Sequence, residues 1–302
     1  MSKYFDEKNN MFMSPKITQE NSHMIMTNVH TNIKTKFINI DTRYQDRHVY
    51  ENCSDNVLTV SLPEYIKNVE SLKMIKAEIP FSFYNFSLQR RNTYFMINST
   101  LITIAEGEYT YNDLITNLNS IIVTIFGSNV VEIIDDGDNK ISILNNTSSE
   151  ISVYFNINVD GSLDKDNNVK NKLGWSLGFR EESYIIPASD SVQNESIVMI
   201  NTMNYIFISV DDFNNTNPNS FLVPASKSLI DSTILARISV QNKVIGNYLI
   251  ASESLGNLVS DTRSYGDKTN IQRLKIKLLD NTGNTIDLNK VDYSFCLEIK
   301  YK

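Results

Sequence analysis

A chain of 302 residues with 28 Lys+Arg against 35 Asp+Glu carries a formal charge of −7, and that acidic balance removes the electrostatic basis for general phosphate-backbone binding. No run of about 18 apolar residues occurs, and Met1-Ser2-Lys3-Tyr4-Phe5-Asp6-Glu7 lacks the apolar centre of a secretory signal, so neither a membrane span nor export is expected. The length admits one large β-sandwich with an insertion or two modest domains.

Residues 1 to 35 are polar, Met-rich and Asn-rich, with no sustained period of 2 or 3.6, and are expected to form an extended or disordered arm, either a strap that orders against a neighbouring subunit or a disordered tail of no consequence. From Lys36 the pattern changes to short β-type runs. Residues 36–41 read as a first strand, followed by a polar loop through Arg47 and Asn56. Residues 57–62 read as a second strand, which Pro63 should end because proline lacks the ladder donor. Residues 69–79 form a long run in which Val69, Lys73, Ile75, Ala77 and Ile79 are expected on one face and Leu72, Met74, Lys76 and Glu78 on the other. Pro80 stops it. Phe81, Phe83, Tyr84 and Phe86 then concentrate aromatic area, which belongs either in the core or in an exposed patch, and residues 93–97 close this block.

Residues 99–189 read as a small α+β insertion. A short strand at 101–105 precedes a helix with Thr110 as N-cap and Asp113 three residues later. Leu114, Ile115, Leu118, Ile121 and Ile122 place one apolar stripe on it. Residues 130–134 and 140–144 flank Asp135-Asp136-Gly137-Asp138-Asn139, a hairpin connection, and 151–155 add a strand. Further strands are expected at 196–200, 205–210, 233–240 and 244–250. In 271–279, Leu274, Ile276 and Leu278 alternate with Arg273, Lys275 and Lys277. In 293–301, Tyr293, Phe295, Leu297, Ile299 and Tyr301 alternate with Ser294, Cys296, Glu298 and Lys300. The expected fold is mostly β: an antiparallel jelly-roll-type β-sandwich of residues 36–98 and 190–302, whose interior is shared by Phe37 and Phe295.

Chemistry-bearing residues are sparse. Cys53 and Cys296 lack CxxC or His-rich context and are expected to be reduced, Cys296 as a small packed side chain. His23, His30 and His48 have no ligand spacing. Asp41, Arg43, Asp46 and Arg47 cluster at a strand end, either as a carboxylate or acid/base site or, more simply, as ion pairs pinning the arm to the sandwich. Asp135-Asp136-Gly137-Asp138 has the composition of a calcium loop but lacks its downstream Glu, which leaves a hairpin turn. Gly174-Trp175-Ser176-Leu177-Gly178 spells Gly-x-Ser-x-Gly, yet no strand precedes it, no helix follows, and no histidine occurs after His48. Trp175, Leu177 and Phe179 are instead expected on one face, plugging the insertion's core. No metal or cofactor site is expected.

Four segments carry a resemblance: Phe37-Ile38-Asn39-Ile40-Asp41-Thr42-Arg43; Leu62-Pro63-Glu64-Tyr65-Ile66-Lys67-Asn68-Val69 running into Ala77-Glu78-Ile79-Pro80-Phe81-Ser82-Phe83-Tyr84-Asn85-Phe86; Leu173-Gly174-Trp175-Ser176-Leu177-Gly178-Phe179-Arg180; and Ile271-Gln272-Arg273-Leu274 through Leu288-Asn289-Lys290-Val291-Asp292-Tyr293-Ser294-Phe295. Through them the chain resembles the minor capsid and penton-type proteins of nucleocytoplasmic large DNA viruses, the phycodnavirus and mimivirus-like groups. One departure is Tyr265-Gly266-Asp267, where the family pattern has a Phe-Gly-Pro loop. The resemblance implies a non-enzymatic virion component with jelly-roll domains, assembled in the host cytoplasm. Its implied partners are the major capsid protein, other minor capsid proteins and copies of itself in a cyclic ring such as a pentamer. A jelly-roll module attaching to cell-surface glycans is the competing reading. Exposed aromatics over Phe81, Phe83, Tyr84 and Phe86 would favour it, and burial of those rings would favour the structural one.

Overall fold

The computed structural model describes residues 33–45, 57–200, 203–214, 233–241 and 243–302. The expected arm up to residue 32, Asp46, Arg47, the three histidines and Cys53 lie outside them. Strands β1 (Lys34–Asp41) and β2 (Val57–Pro80) come first, then β3 (Tyr94–Ile97) and β4 (Thr100–Thr103). Helix α1 (Tyr111–Phe126) is followed by β5 (Val131–Gly137), β6 (Lys140–Asn145), β7 (Ile151–Tyr154), the helical turn α2 (Leu173–Ser176), β8 (Ser183–Ile186) and β9 (Asp190–Gln193). The last strands are β10 (Tyr205–Asp211), β11 (Ile234–Ser239), β12 (Tyr248–Ser252), β13 (Leu258–Ser260), β14 (Arg263–Leu279) and β15 (Ser294–Tyr301).

The larger sheet is wholly antiparallel, in the order β1-β15-β2-β14-β10-β11-β13, with β12 also on β2. Strand β2 organises it: β14 bonds it between residues 57 and 72, β15 residues 69–78 and β12 residues 76–80. The far end of the sheet curls back onto β2, where the Met74 N–H donates to Ser260 Oγ at 3.0 Å. One face of every strand therefore feeds a single core that includes Ile40, Leu62, Met74, Ile79, Ile208, Leu235, Leu274 and Leu297. The jelly-roll-type sandwich takes the form of this curled antiparallel sheet.

Strand β2 departs from simple alternation. Cys296 pairs with Lys76 but Leu297 with Met74, and Lys300 with Ser71 but Tyr301 with Val69, so Ile75 and Glu70 stand unopposed. Each such bulge swaps the two faces for the rest of the strand. Val69, Leu72, Met74, Ala77 and Ile79 all reach the core as a result, and Ile75, expected beside Val69, is only half-buried. Pro63 does not end the strand either. It falls between the pairs Ser61–Arg273 and Ile66–Ile271, a ladder interruption where no N–H is needed. The two described ends of the chain meet as expected, through Ile40 opposite Phe295. Phe37 does not share that interior: it lies one pleat over, opposite Glu298, and is 60% exposed.

Two smaller sheets, β4-β3-β7-β8 and β5-β6-β9, enclose a second core with α1. Strand β3, read from the sequence as the close of the first β block, bonds β4 and β7, and β9 bonds β6. Leu114, Ile115, Leu118 and Ile122 are the buried stripe of α1. Phe95, Phe155 and Phe179 stack at 5.6 and 5.1 Å between centroids. Asp138 and Asn139, with φ of 51° and 56°, make the two-residue β5–β6 connection, the positive-φ geometry of a type I′ turn. At the start of α1, Thr110 Oγ1 accepts from the Asp113 N–H at 3.3 Å and donates to the Asp113 carboxylate at 2.6 Å. Thr110→Ala should lower the unfolding free energy by about 1 kcal/mol in urea denaturation.

Candidate interaction surface

The aromatic stretch links the two cores. Phe81 and Phe83 meet edge-on at 5.9 Å inside the larger core, and Phe86 meets Tyr109 at 5.7 Å in the second. Tyr84 is the exposed member of the four, at 37%. Rings sequestered this way cannot stack on a sugar, and their burial favours the structural reading over glycan attachment.

Asp41 and Arg43 do come together. The Asp41 carboxylate caps a short 3₁₀ turn by accepting from the Arg43 N–H at 3.0 Å and grips the same residue's guanidinium, with Nε at 3.0 Å and Nη2 at 2.5 Å. Hydrogen bonding from Arg43 holds the Asp41 carboxyl below the usual carboxylate range, and the same bond raises the arginine. Beside it Thr42 donates to the Asp292 carboxylate at 2.7 Å and accepts from the Tyr293 N–H at 3.0 Å. This clasp fastens the turn after β1 to the entry of β15. It borders a shallow groove of about 360 Å³ lined by Glu78, Tyr248, Ile250 and Asp292.

The outer face of β1, β15, β2 and β12 is set by the register: Asp41, Ser294, Glu78 and Ile250 form one row, and Asn39, Cys296, Lys76 and Ser252 the next. It is laced with ion pairs, Lys76–Glu78 and Lys73–Glu253 at 2.6 Å and Lys300–Glu298 at 3.5 Å. Cys296 is half-buried in its centre, and burial raises its thiol pKa, which disfavours the reactive thiolate. Phe37, Tyr44, Tyr248 and Ile250 are exposed around it.

Two buried ion pairs escaped the sequence reading. Lys172, fully buried, donates to the Asp164 carboxylate at 2.5 Å and to the Ile157 carbonyl at 2.7 Å, with its ammonium 5.7 Å from the Tyr94 ring centroid. Asp164 also accepts from the N–H groups of Asp166 and Asn167. Burial pushes the Asp164 pKa up, but the bonds from Lys172, Asn167 and Asp166 outweigh it and hold the carboxyl well below the carboxylate range. Burial draws the Lys172 pKa down against the pull of Asp164. In the larger core Arg263 donates to the Val210 carbonyl at 2.7 Å and to Asp212 at 3.3 Å, and the Tyr265 hydroxyl donates to the same carboxylate. Burial and that carboxylate push the Tyr265 pKa far up.

Between the two cores runs a polar seam. Arg90 donates to the Asn85 carbonyl at 3.0 Å and lies 3.6 Å from Asp280; Lys243 pairs with Glu108 at 2.8 Å; Gln89 donates to Thr285 at 2.8 Å. Buried, hydrogen-bonded charge of this kind holds one arrangement of the two parts, because any shift strands a charge. A sequence signal existed only for Asp164, whose Asx-turn partners Asp166 and Asn167 are local. The Arg263–Asp212 pair and the seam pairs span 51 to 196 residues.

The remaining motifs are absorbed structurally. Asp135 accepts from the Tyr111 hydroxyl at 2.8 Å, and Asp136 accepts from Ser142 at 2.6 Å and Gln193 at 2.8 Å. In Gly174–Gly178, residues 173–176 form a helical turn, so Trp175 does not share a face with Leu177 and Phe179. Those two enter the second core, while Trp175 is half-buried outside it with the Arg180 guanidinium 4.1 Å from its ring centroid. Among the described residues no cluster of three or more His, Cys, Asp or Glu could hold a metal ion, and no helix is long and apolar enough to cross a membrane.

No family model and no curated protein matches the chain. Among solved structures it is similar to the mavirus penton protein, at 12% identity with a TM-score of 0.41, over 89% of this chain and 100% of that one. It is also similar to a chain in the cryo-EM structure of the Sputnik virophage, at 13% identity with a TM-score of 0.37, over 89% of this chain and 98% of that one.

Proposed function

We propose that this chain is a structural component of the capsid of a large icosahedral DNA virus, a minor capsid or penton-type protein that acts through contact with its neighbours. The observation that carries the reading is where the family-like segments fall. They build the framework: β1 with its clasp, the long strand β2 and its aromatic link into the second core, the Leu173–Arg180 plug, and β14 with β15. A resemblance carried by framework segments fits a protein whose product is a fixed shape. In the same reading the inserted module spans residues 86–200, since β3 and β9 pair inside its sheets. Its partners are the major capsid protein, other minor capsid proteins and further copies of itself arranged head-to-tail in a closed ring, such as a pentamer. It resides in the virion after assembly in the host cytoplasm. Quantitative mass spectrometry of gradient-purified particles should find the protein at a fixed ratio to the major capsid protein. Its absence from those particles defeats the proposal.

A further inference from the structure

The curl of the larger sheet leaves an opening. Residues 57–61 of β2 are bonded by β14 along one edge, while β15 begins on this strand only at Val69. Facing them is β1, whose one edge is taken by β15 and whose other pairs with no described strand. The Thr42 N–H donates to the Tyr293 carbonyl at 3.1 Å. Counting back in twos, Ile40 and Ile38 direct their backbone groups to β15, and Asn39 and Asp41 direct theirs to the opening. Between the strands lies a cleft of about 410 Å³, with Ile38 and Ile40 on one wall and Leu58, Val60 and Leu62 on the other. Ile40, Leu58 and Leu62 belong to the main core. Two edges that no described strand bonds, over an apolar floor, are what an added strand completes: its main chain pairs outward and its alternate side chains enter the core.

We propose that this cleft receives an extended stretch of the N-terminal 32 residues of a second copy of the chain. Those residues directly precede the first described one, Ile33, and extended they would reach roughly 100 Å, far beyond the roughly 16 Å wall from Ile38 to Thr42. Within them Met24-Ile25-Met26-Thr27-Asn28-Val29 is uncharged and mainly apolar, matching the floor. The chain's own segment would enter from the Lys34 end, where the Lys36–Glu64 ion pair bridges the two walls. A neighbour's segment enters by the opposite mouth, at the exposed Tyr44. Donation from each copy to the next is head-to-tail and closes a ring when the rotation permits. The choice of a second copy as donor rests on the capsid reading; the test needs no virion, so either can fail alone.

The test uses two differently tagged full-length chains, both Cys53→Ser and Cys296→Ser, one with Ile25→Cys and the other with Thr59→Cys, mixed and treated with a bis-maleimide. A mixed-tag dimer is expected. Asn39→Pro in the acceptor should reduce it at least tenfold while leaving the acceptor's unfolding midpoint nearly unchanged, since that N–H faces the cleft. Excess synthetic peptide of residues 18–32 should suppress the dimer in the same way, without any change to the acceptor. No mixed-tag dimer, a dimer indifferent to both Asn39→Pro and the peptide, or cross-linking only inside a chain carrying both cysteines overturns the proposal.

Discussion

Lys172→Met is expected to lower the unfolding free energy by about 3 kcal/mol, because removing one partner of a buried pair leaves the Asp164 carboxylate with the half-exposed Arg91, at 3.5 Å, as its remaining charged partner. The ammonium lies at the base of the 157–164 loop, joined to the Ile157 carbonyl and the Asp164 carboxylate, and methionine fills its stem volume without supplying either bond. Adding Asp164→Asn should recover more than about 1 kcal/mol, the coupling expected of residues in direct contact. The pH dependence comes from the carboxyl. Its folded pKa is depressed below the unfolded value of about 3.9, so its contribution is fully present above about pH 4 and is lost as the pH falls through the folded value. In Lys172→Met the depression shrinks, and the stability gap between wild type and variant should narrow steadily below pH 4. Urea denaturation across pH 2–7 measures both effects; a gap that stays constant with pH, or a double variant no better than the single, removes the pair from its stabilising role.

Gly178→Ala is expected to cost about 3 kcal/mol or more. The backbone there has φ of +91°, and an added Cβ would sit 2.3 Å from the Ser196 carbonyl oxygen and 2.6 Å from the Asn194 amide. The conformational penalty alone is roughly 1–2 kcal/mol, and overpacking against backbone that cannot swing away adds about 1–3 more. Gly137 separates the two contributions, since its φ is +83° and an added Cβ meets nothing within 4 Å. Gly137→Ala should therefore show only the smaller cost. Equal shifts of the denaturation midpoint for the two variants would mean that the contact at Gly178 does not matter.

These two sites also show where sequence reading stops. Gly174-Trp175-Ser176-Leu177-Gly178 matches a catalytic motif letter for letter, yet its glycines serve close packing: a Cβ at Gly174 would lie 2.3 Å from the Phe155 ring, and Gly178 holds the left-handed turn beside Ser196. Neither Phe155 nor Ser196 is near in sequence, so no local pattern carries that reason. The same holds for the Asp41 cluster. Asp41 and Arg43 are two residues apart and their pairing is a local event, whereas the clasp that gives it a role needs Asp292 and Tyr293 from the far end of the chain.

Residues settle by themselves whatever depends on neighbours within a few positions. The Thr110 cap and the stripe behind it make α1; Asp138-Asn139 turns the β5–β6 hairpin; alternation in 274–278 and 293–301 makes two core strands. Tertiary structure alone decided which face of β2 is buried, because bulges at Glu70 and Ile75 reset the period of two and depend on the register with β15. It alone placed Lys172 beside Asp164 and Arg263 beside Asp212, and kept Phe37 outside while Ile40 went in. Side-chain period is a property of one strand, but burial is a property of the strand's partners, and those are chosen by the whole chain at once.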